Sequence, residues 1–313
     1  MKIVVLDGKT LGADVDLTVL GSDLTIYGTT DPEEVSRRIA DNETVIVNKV
    51  KLNADNLSAA KNLRLICVAA TGYDNIDIDY CRKRGIAVCN VCGYSTESVA
   101  QLTVTMALSL VTHLNEYTGF VKSGEYTKSG VANRLTPVYH ELSGMTWGIV
   151  GLGNIGKQVA RAAEVFGCRV LAFKRTPDKN YNCVPLSELM EKSDIVSVHL
   201  PAGAQTNGII SKEMIGRMKK SAVFVNVARG AVVDEEALVQ AVLDNKIAGI
   251  GVDVYSKEPF DSEHCYNKIM NMDNVILTPH IAWGAYEARI RCIDEMRRNI
   301  EAFEKGEERN RIV

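Results

Sequence analysis

The sequence predicts a parallel α/β protein built from two domains. Three observations carry that reading. Short apolar runs alternate with helical patterns along most of the chain. The alternation is interrupted by a polar, Gly-containing stretch at 121–140 and restarts at Thr146. The length of 313 residues suits two domains at about 150 residues each.

In the first half, residues 3–6, 45–47, 65–68 and 86–88 read as short strands, with helical patterns at 32–40 and 54–61 between them. A long helix starts near Ser95 or Thr96, whose hydroxyls can cap exposed amides. Val99, Leu102, Met106, Leu110 and Leu114 then recur at spacings of three and four and mark one buried face. After the polar stretch, residues 146–150, 169–173, 195–200, 222–227, 250–254 and 275–277 read as strands. An amphipathic, charged helix at 286–304 closes the chain.

Composition excludes several classes. The formal net charge of −3 gives no electrostatic reason to expect nucleic acid or an anionic membrane as partner. Apolar residues at 46% and charged residues at 24% are a globular balance, which excludes disorder. The first residues lack the pattern of a secretory leader, because Asp7 ends the apolar run. Residues 99–114 carry Gln101, His113 and four hydroxyls and fall short of the roughly 20 apolar residues a bilayer requires. A soluble, cytoplasmic protein is the expectation. Of eight cysteines only Cys89 and Cys92 have C-x-x-C spacing, and no second pair completes a zinc site. Most of the cysteines sit beside apolar residues and read as buried free thiols, and no metal is expected.

The strongest local motif is Gly151-Leu152-Gly153-Asn154-Ile155-Gly156, set between an apolar strand and a helical run. In that context G-x-G-x-x-G is a dinucleotide fingerprint. Gly151 permits the tight turn, Gly153 lets backbone approach the pyrophosphate, and Gly156 lets helix pack on strand. Asn154 and Ile155 contribute amides at the helix N-terminus, which favours phosphate. After the following strand, an NAD site usually places an acid that accepts from the ribose hydroxyls. Here the position holds Lys174, followed by Arg175 and Thr176. Two cations and a hydroxyl suit a 2′-phosphate, so NADP(H) is favoured and NAD(H) is the alternative. One charge-assisted bond, at about 1.5–3 kcal/mol, is already roughly a tenfold preference.

Three later segments place polar groups just past strands, where ligands bind in open α/β sheets. They hold Val227-Ala228-Arg229-Gly230, Asp253 with Glu258, and Thr278-Pro279-His280. Together with the glycine loop, these segments closely resemble the D-2-hydroxyacid dehydrogenase family. The resemblance extends to residues 69–77 and 94–101, and within the family it leans toward hydroxypyruvate and glyoxylate reductases. It implies two Rossmann-like doubly wound domains: a flavodoxin-like substrate domain, residues 1–98 and 284–313, interrupted by an NAD(P)-binding domain at 99–283. It implies that Arg229 binds the carboxylate of a small 2-oxo acid and polarises its carbonyl. His280 would exchange the proton, and Glu258 would orient His280 and stabilise its imidazolium. The amides of Thr71 and Gly72 would meet the substrate carboxylate. Val227, Ala228 and Asp253 would border the cofactor, Asp253 near the nicotinamide carboxamide. A homodimer through the nucleotide domain is also implied.

Two alternatives stand beside this reading. One is a nucleotide-sensing binding protein, because dinucleotide-binding corepressors share the fold. The complete set of Arg229, Glu258 and His280 weighs against it. The other is a dehydrogenase of a larger, branched 2-oxo acid. His113 and His199 are unassigned.

Overall fold

A computed structural model describes residues 1–313. The chain divides into two compact units, Met1–Ser95 with Gly284–Val313, and Thr96–Trp283.

The first unit holds β1 (Ile3–Val5), β2 (Leu24–Ile26), β3 (Thr44–Val47), β4 (Leu65–Val68) and β5 (Ala87–Cys89). All pairings are parallel, in the order β2-β1-β3-β4-β5. This is the flavodoxin-like order. Every residue of β1, β3, β4 and β5 is buried, which explains their continuous apolar runs. Val4, Val45, Ile66 and Val88 pack with Val35, Ile39, Leu57 and Cys81 from the helical segments. The helix Tyr286–Glu304 belongs to this unit. Its Asn299 donates to the Asn90 carbonyl at 2.9 Å and its Arg291 to that of Tyr94 at 2.9 Å.

The second unit holds β6 (Thr146–Val150), β7 (Arg169–Phe173), β8 (Asn182–Cys183), β9 (Ile195–Val198), β10 (Val223–Asn226), β11 (Gly249–Val252) and β12 (Val275–Leu277). They form one parallel sheet in the order β12-β11-β10-β9-β6-β7-β8. The order reverses between β6 and β9, the switch point at which such sheets bind ligands. One face of the sheet packs Val196, Val198, Phe224, Ile250 and Val252 against Leu238 and Val242. The other packs Trp147, Ile149, Ile195 and Val225 against Val99, Met106 and Leu110 of the helix Thr96–Val111. The hydroxyl of Thr103, buried in that helix, donates to the Val99 carbonyl at 2.7 Å.

Several sequence expectations need correction. Strands β2 and β8 were not read, because they are short edge strands with exposed residues and carry no apolar run. The polar stretch 121–140 begins in the helix Leu114–Lys122 and holds a short helix, Glu125–Ser129, which carry no signal in the sequence reading. Leu114 does not continue the buried face of the long helix. That helix ends at Val111, His113 takes φ +51°, and Leu114 starts a new helix with 54% exposure. All eight cysteines are free and six of them are buried; Cys183 is partly buried and Cys92 exposed. No helix is long and apolar enough to cross a membrane.

Candidate active site

The glycine loop follows β6 at the switch point. Gly151 has φ +101°, in the left-handed region, and a Cβ there would lie 2.8 Å from the His199 carbonyl. A Cβ on Gly156 would lie 2.2 Å from the Gly151 oxygen, so only glycine lets the helix Asn154–Val165 start this close to the strand. Gly153 differs: a Cβ there meets nothing within 4 Å, and Gly153 and Asn154 are exposed. Backbone amides at the start of a 12-residue helix thus face open space, the arrangement that receives a phosphate group. The loop fits a dinucleotide.

Past β7, Lys174 is half-buried and Arg175 and Thr176 are exposed. Arg175 donates to Gln205 at 3.2 Å. An acid does lie close by, which the sequence reading missed. Asp178 pairs with Lys157 at 2.7 Å. Its carboxyl is held below the usual range by the bond from Lys157, by the Asn180 amide and by the charges of Lys157 and Lys174. Asp178 is thus already engaged by cations.

Arg229 follows β10 on a turn that Asn226 builds. The buried Asn226 accepts from the Ala228 amide and donates to the Arg229 carbonyl, both at 3.0 Å. A Cβ on Gly230 would fall 2.0 Å from the Tyr255 carbonyl carbon and 2.2 Å from the Ser256 nitrogen. The Arg229 segment therefore lies directly on the turn that leads to Glu258.

Glu258 and His280 meet: Nδ1 of the imidazole is 2.6 Å from Oε2, with both side chains partly exposed. The other carboxylate oxygen accepts from the Tyr255 amide at 2.9 Å. His280 has φ +53°, an uncommon backbone state for a residue with a side chain, and its amide donates to Thr278 at 3.0 Å. The state is over-determined by Asp253, just past β11 and fully buried. Asp253 accepts from the Thr278 hydroxyl at 2.5 Å and from the Ile281 and Ala282 amides at 2.8 Å each. Burial pushes its carboxyl up, and these three donors oppose the shift. Ser98 adds a bond to the Ala282 carbonyl at 2.6 Å. Both oxygens of Asp253 thus hold the loop that carries His280. Val227 and Ala228 are buried just past β10.

In the first unit, Thr71 is exposed and Gly72 half-buried on the loop after β4, and no backbone carbonyl accepts from either amide. Thr71 donates its hydroxyl to the Val91 carbonyl at 2.8 Å, and Asn90 donates to the Thr71 carbonyl at 2.8 Å. The neighbouring loop is pinned by Asp7, which ends β1 and which the sequence reading did not assign. Its carboxylate accepts from the amides of Asn48 at 2.9 Å, Lys49 at 2.6 Å and Val50 at 3.0 Å. Asn75 ties the two loops by donating to the Val50 carbonyl at 2.9 Å.

Residues 104–282 match the family model described as D-isomer specific 2-hydroxyacid dehydrogenase, NAD binding domain. The chain is 36% identical over 317 residues to a hydroxypyruvate reductase of Blautia hydrogenotrophica, covering 98% of each protein. Among solved structures, an acyclic imino acid reductase in complex with NADPH and D-Arg superposes with TM-score 0.87 at 27% identity, over all of both chains. A D-lactate dehydrogenase from Aquifex aeolicus, complexed with NAD and lactic acid, gives TM-score 0.83 at 31% identity, over 97% of this chain and 96% of that one.

Proposed function

Because the chain belongs to the D-isomer specific 2-hydroxyacid dehydrogenase family, and so is an NAD(P)-dependent oxidoreductase of 2-hydroxy acids, we propose that it reduces a small 2-oxo acid, hydroxypyruvate or glyoxylate, to the D-2-hydroxy acid with His280 as proton donor. The observation that carries this is the 2.6 Å contact of Glu258 with His280, on a turn packed against the Arg229 segment. The substrate class is supported by the name of the hydroxypyruvate reductase to which the chain is similar end to end.

When bound, a nicotinamide dinucleotide would supply the hydride that the carbonyl carbon receives. The chain's own residues do the rest. Arg229 presents a planar, permanently charged fork to the carboxylate and the carbonyl oxygen, drawing electron density from the carbon under attack. The amides of Thr71 and Gly72 take the carboxylate's remaining lone pairs. With Nδ1 bonded to Glu258, Nε2 of His280 is the nitrogen that gives its proton to the developing alkoxide. The Glu258 carboxylate favours the charged imidazolium before that transfer. In the oxidation direction the neutral ring takes the hydroxyl proton. Val227 and Ala228 would border the cofactor, and Gly151, Gly153, Asn154, Ile155 and Gly156 would hold its pyrophosphate.

His280→Ala should lower kcat by about 100-fold or more while nucleotide affinity is kept. Near-normal turnover on hydroxypyruvate and glyoxylate would remove His280 from the chemistry. A panel that includes branched 2-oxo acids settles the substrate, and a preference for those would favour the larger-substrate reading.

NADP(H) is the proposed cofactor, NAD(H) the alternative. Lys174, Arg175 and Thr176 present two cations and a hydroxyl, and Asp178 is already paired with Lys157. The expected outcome is at least about tenfold higher kcat/KM with NADPH than with NADH, with most of that ratio lost in Arg175→Ala. A preference for NADH would overturn it. The proposed assembly is a homodimer through the nucleotide domain, supported by apolar side chains exposed between its first helix and β6, Leu135 at 75% and Val138 at 66%.

A further inference from the structure

We propose that Glu235 is a positioning residue for the acid–base pair, clamping the turn that carries Glu258 so that Glu258 stays in register with His280. The inference rests on the assignment of His280 as proton donor.

Glu235 begins the helix Glu235–Leu243 and is 9% exposed. One carboxylate oxygen accepts from the Ser256 amide at 2.9 Å, and the other accepts from the Ser256 hydroxyl. A single carboxylate thereby fixes backbone and side chain of one residue, and both bonds are charge-assisted. Ser256 lies two residues before Glu258 and one after Tyr255, whose amide holds the Glu258 carboxylate at 2.9 Å. Clamping Ser256 therefore fixes the amide that orients Glu258. The oxygen that accepts from the Ser256 hydroxyl also lies 3.4 Å from Nε2 of His264. That ring stacks on Tyr266 and lies edge-on to Tyr255, so the clamp is itself braced. Sγ of Cys265 completes a set of three donor atoms within 4.8 Å of one another, but both Glu235 oxygens are already taken by Ser256.

The consequence for catalysis has a definite sign. The groups acting on His280 include Glu258, by direct contact, and Asp253, by charge. Those acting around Glu235 are His264, Cys265, Tyr255 and Tyr266. If the turn loosens, Glu258 drifts and the imidazolium loses its carboxylate. The proton donor is then no longer held in place while the substrate and nucleotide contacts remain, so kcat falls and KM and nucleotide affinity hold.

The test compares Glu235→Ala, Glu235→Gln and Ser256→Ala with the parent, each with NADPH and hydroxypyruvate. Glu235→Ala should lose about 10- to 100-fold in kcat, with KM and NADPH affinity unchanged. Glu235→Gln, which can accept from the Ser256 amide and donate to its hydroxyl, should restore most of kcat. Ser256→Ala keeps the amide bond and should give a smaller loss of kcat, again at unchanged KM. If Glu235→Ala does not fold, Ser256→Ala decides alone. Parental kcat in the folded variants, a loss that Glu235→Gln does not restore, or a loss shared by KM overturns the proposal. Loss of the functional reading is distinguishable, because it would appear as turnover surviving in His280→Ala.

Discussion

The imidazoles of His199 and His280 each follow a strand, yet they sit in opposite chemical settings. The His199 ring is enclosed, although the residue as a whole is half-buried, and burial holds its pKa down to about 3. Its Nε2 is 3.0 Å from Ser197 Oγ, which also accepts from the Trp147 indole at 3.0 Å. A neutral histidine below its ordinary 6.5 has a stability signature. As pH falls from 6.5 toward 3, the unfolded chain takes up a proton that the folded chain refuses. Stability present above pH 6.5 is therefore lost over that window. His199→Gln should show a Tm that falls less steeply across it, measured by calorimetry at several pH values. Equal slopes would mean that His199 is not the group responsible. The same contrast shows what is legible at this scale. His280 stands out in the sequence because Glu258 and Arg229 lie in matching segments. Asp7 and Glu235 do not, because the amides and hydroxyls they hold lie on other strand ends, and only the assembled fold brings them together.

Strands buried on both faces leave a signal that any reading of apolar runs detects, and β3, β4, β9 and β10 are of that kind. The edge strands β2 and β8 leave none, because one side of each meets solvent. The glycine loop was legible because close approach and positive φ demand glycine at Gly151 and Gly156 themselves. The segment from Leu114 to β6 was less so. Its helices Leu114–Lys122 and Glu125–Ser129 bury no residue, so nothing in the core of this chain fixes where they start and stop. Leu114, Val121, Val131, Leu135, Val138 and Tyr139 are all more than half exposed there. The proposed homodimer would cover these side chains with the second copy. Sedimentation should therefore give a dimer for the parent chain and a monomer for the double variant Leu135→Asp, Val138→Asp. A parent that sediments as a monomer would contradict the assembly.

For the molecule as a whole, a net charge of −3 suggested no anionic ligand. The charge balance conceals local arrangements: Arg229 on its own turn, and Lys174 with Arg175 past β7. Net charge averages over the surface, whereas a ligand responds to the few groups within a Debye length of it. The division into units also has a consequence during synthesis. Thr96–Trp283 is one uninterrupted stretch, whereas the first unit needs Gly284–Val313 to supply its last helix. Domains fold as units while the chain emerges at about 5–20 residues per second. Five strands thus wait roughly 10–40 s for the helix that covers them, with Asn90 and Tyr94 lacking their partners Asn299 and Arg291 until then. The sheet made first is the one completed last, and a ribosome stalled before residue 284 would present that sheet, rather than the nucleotide unit, to chaperones.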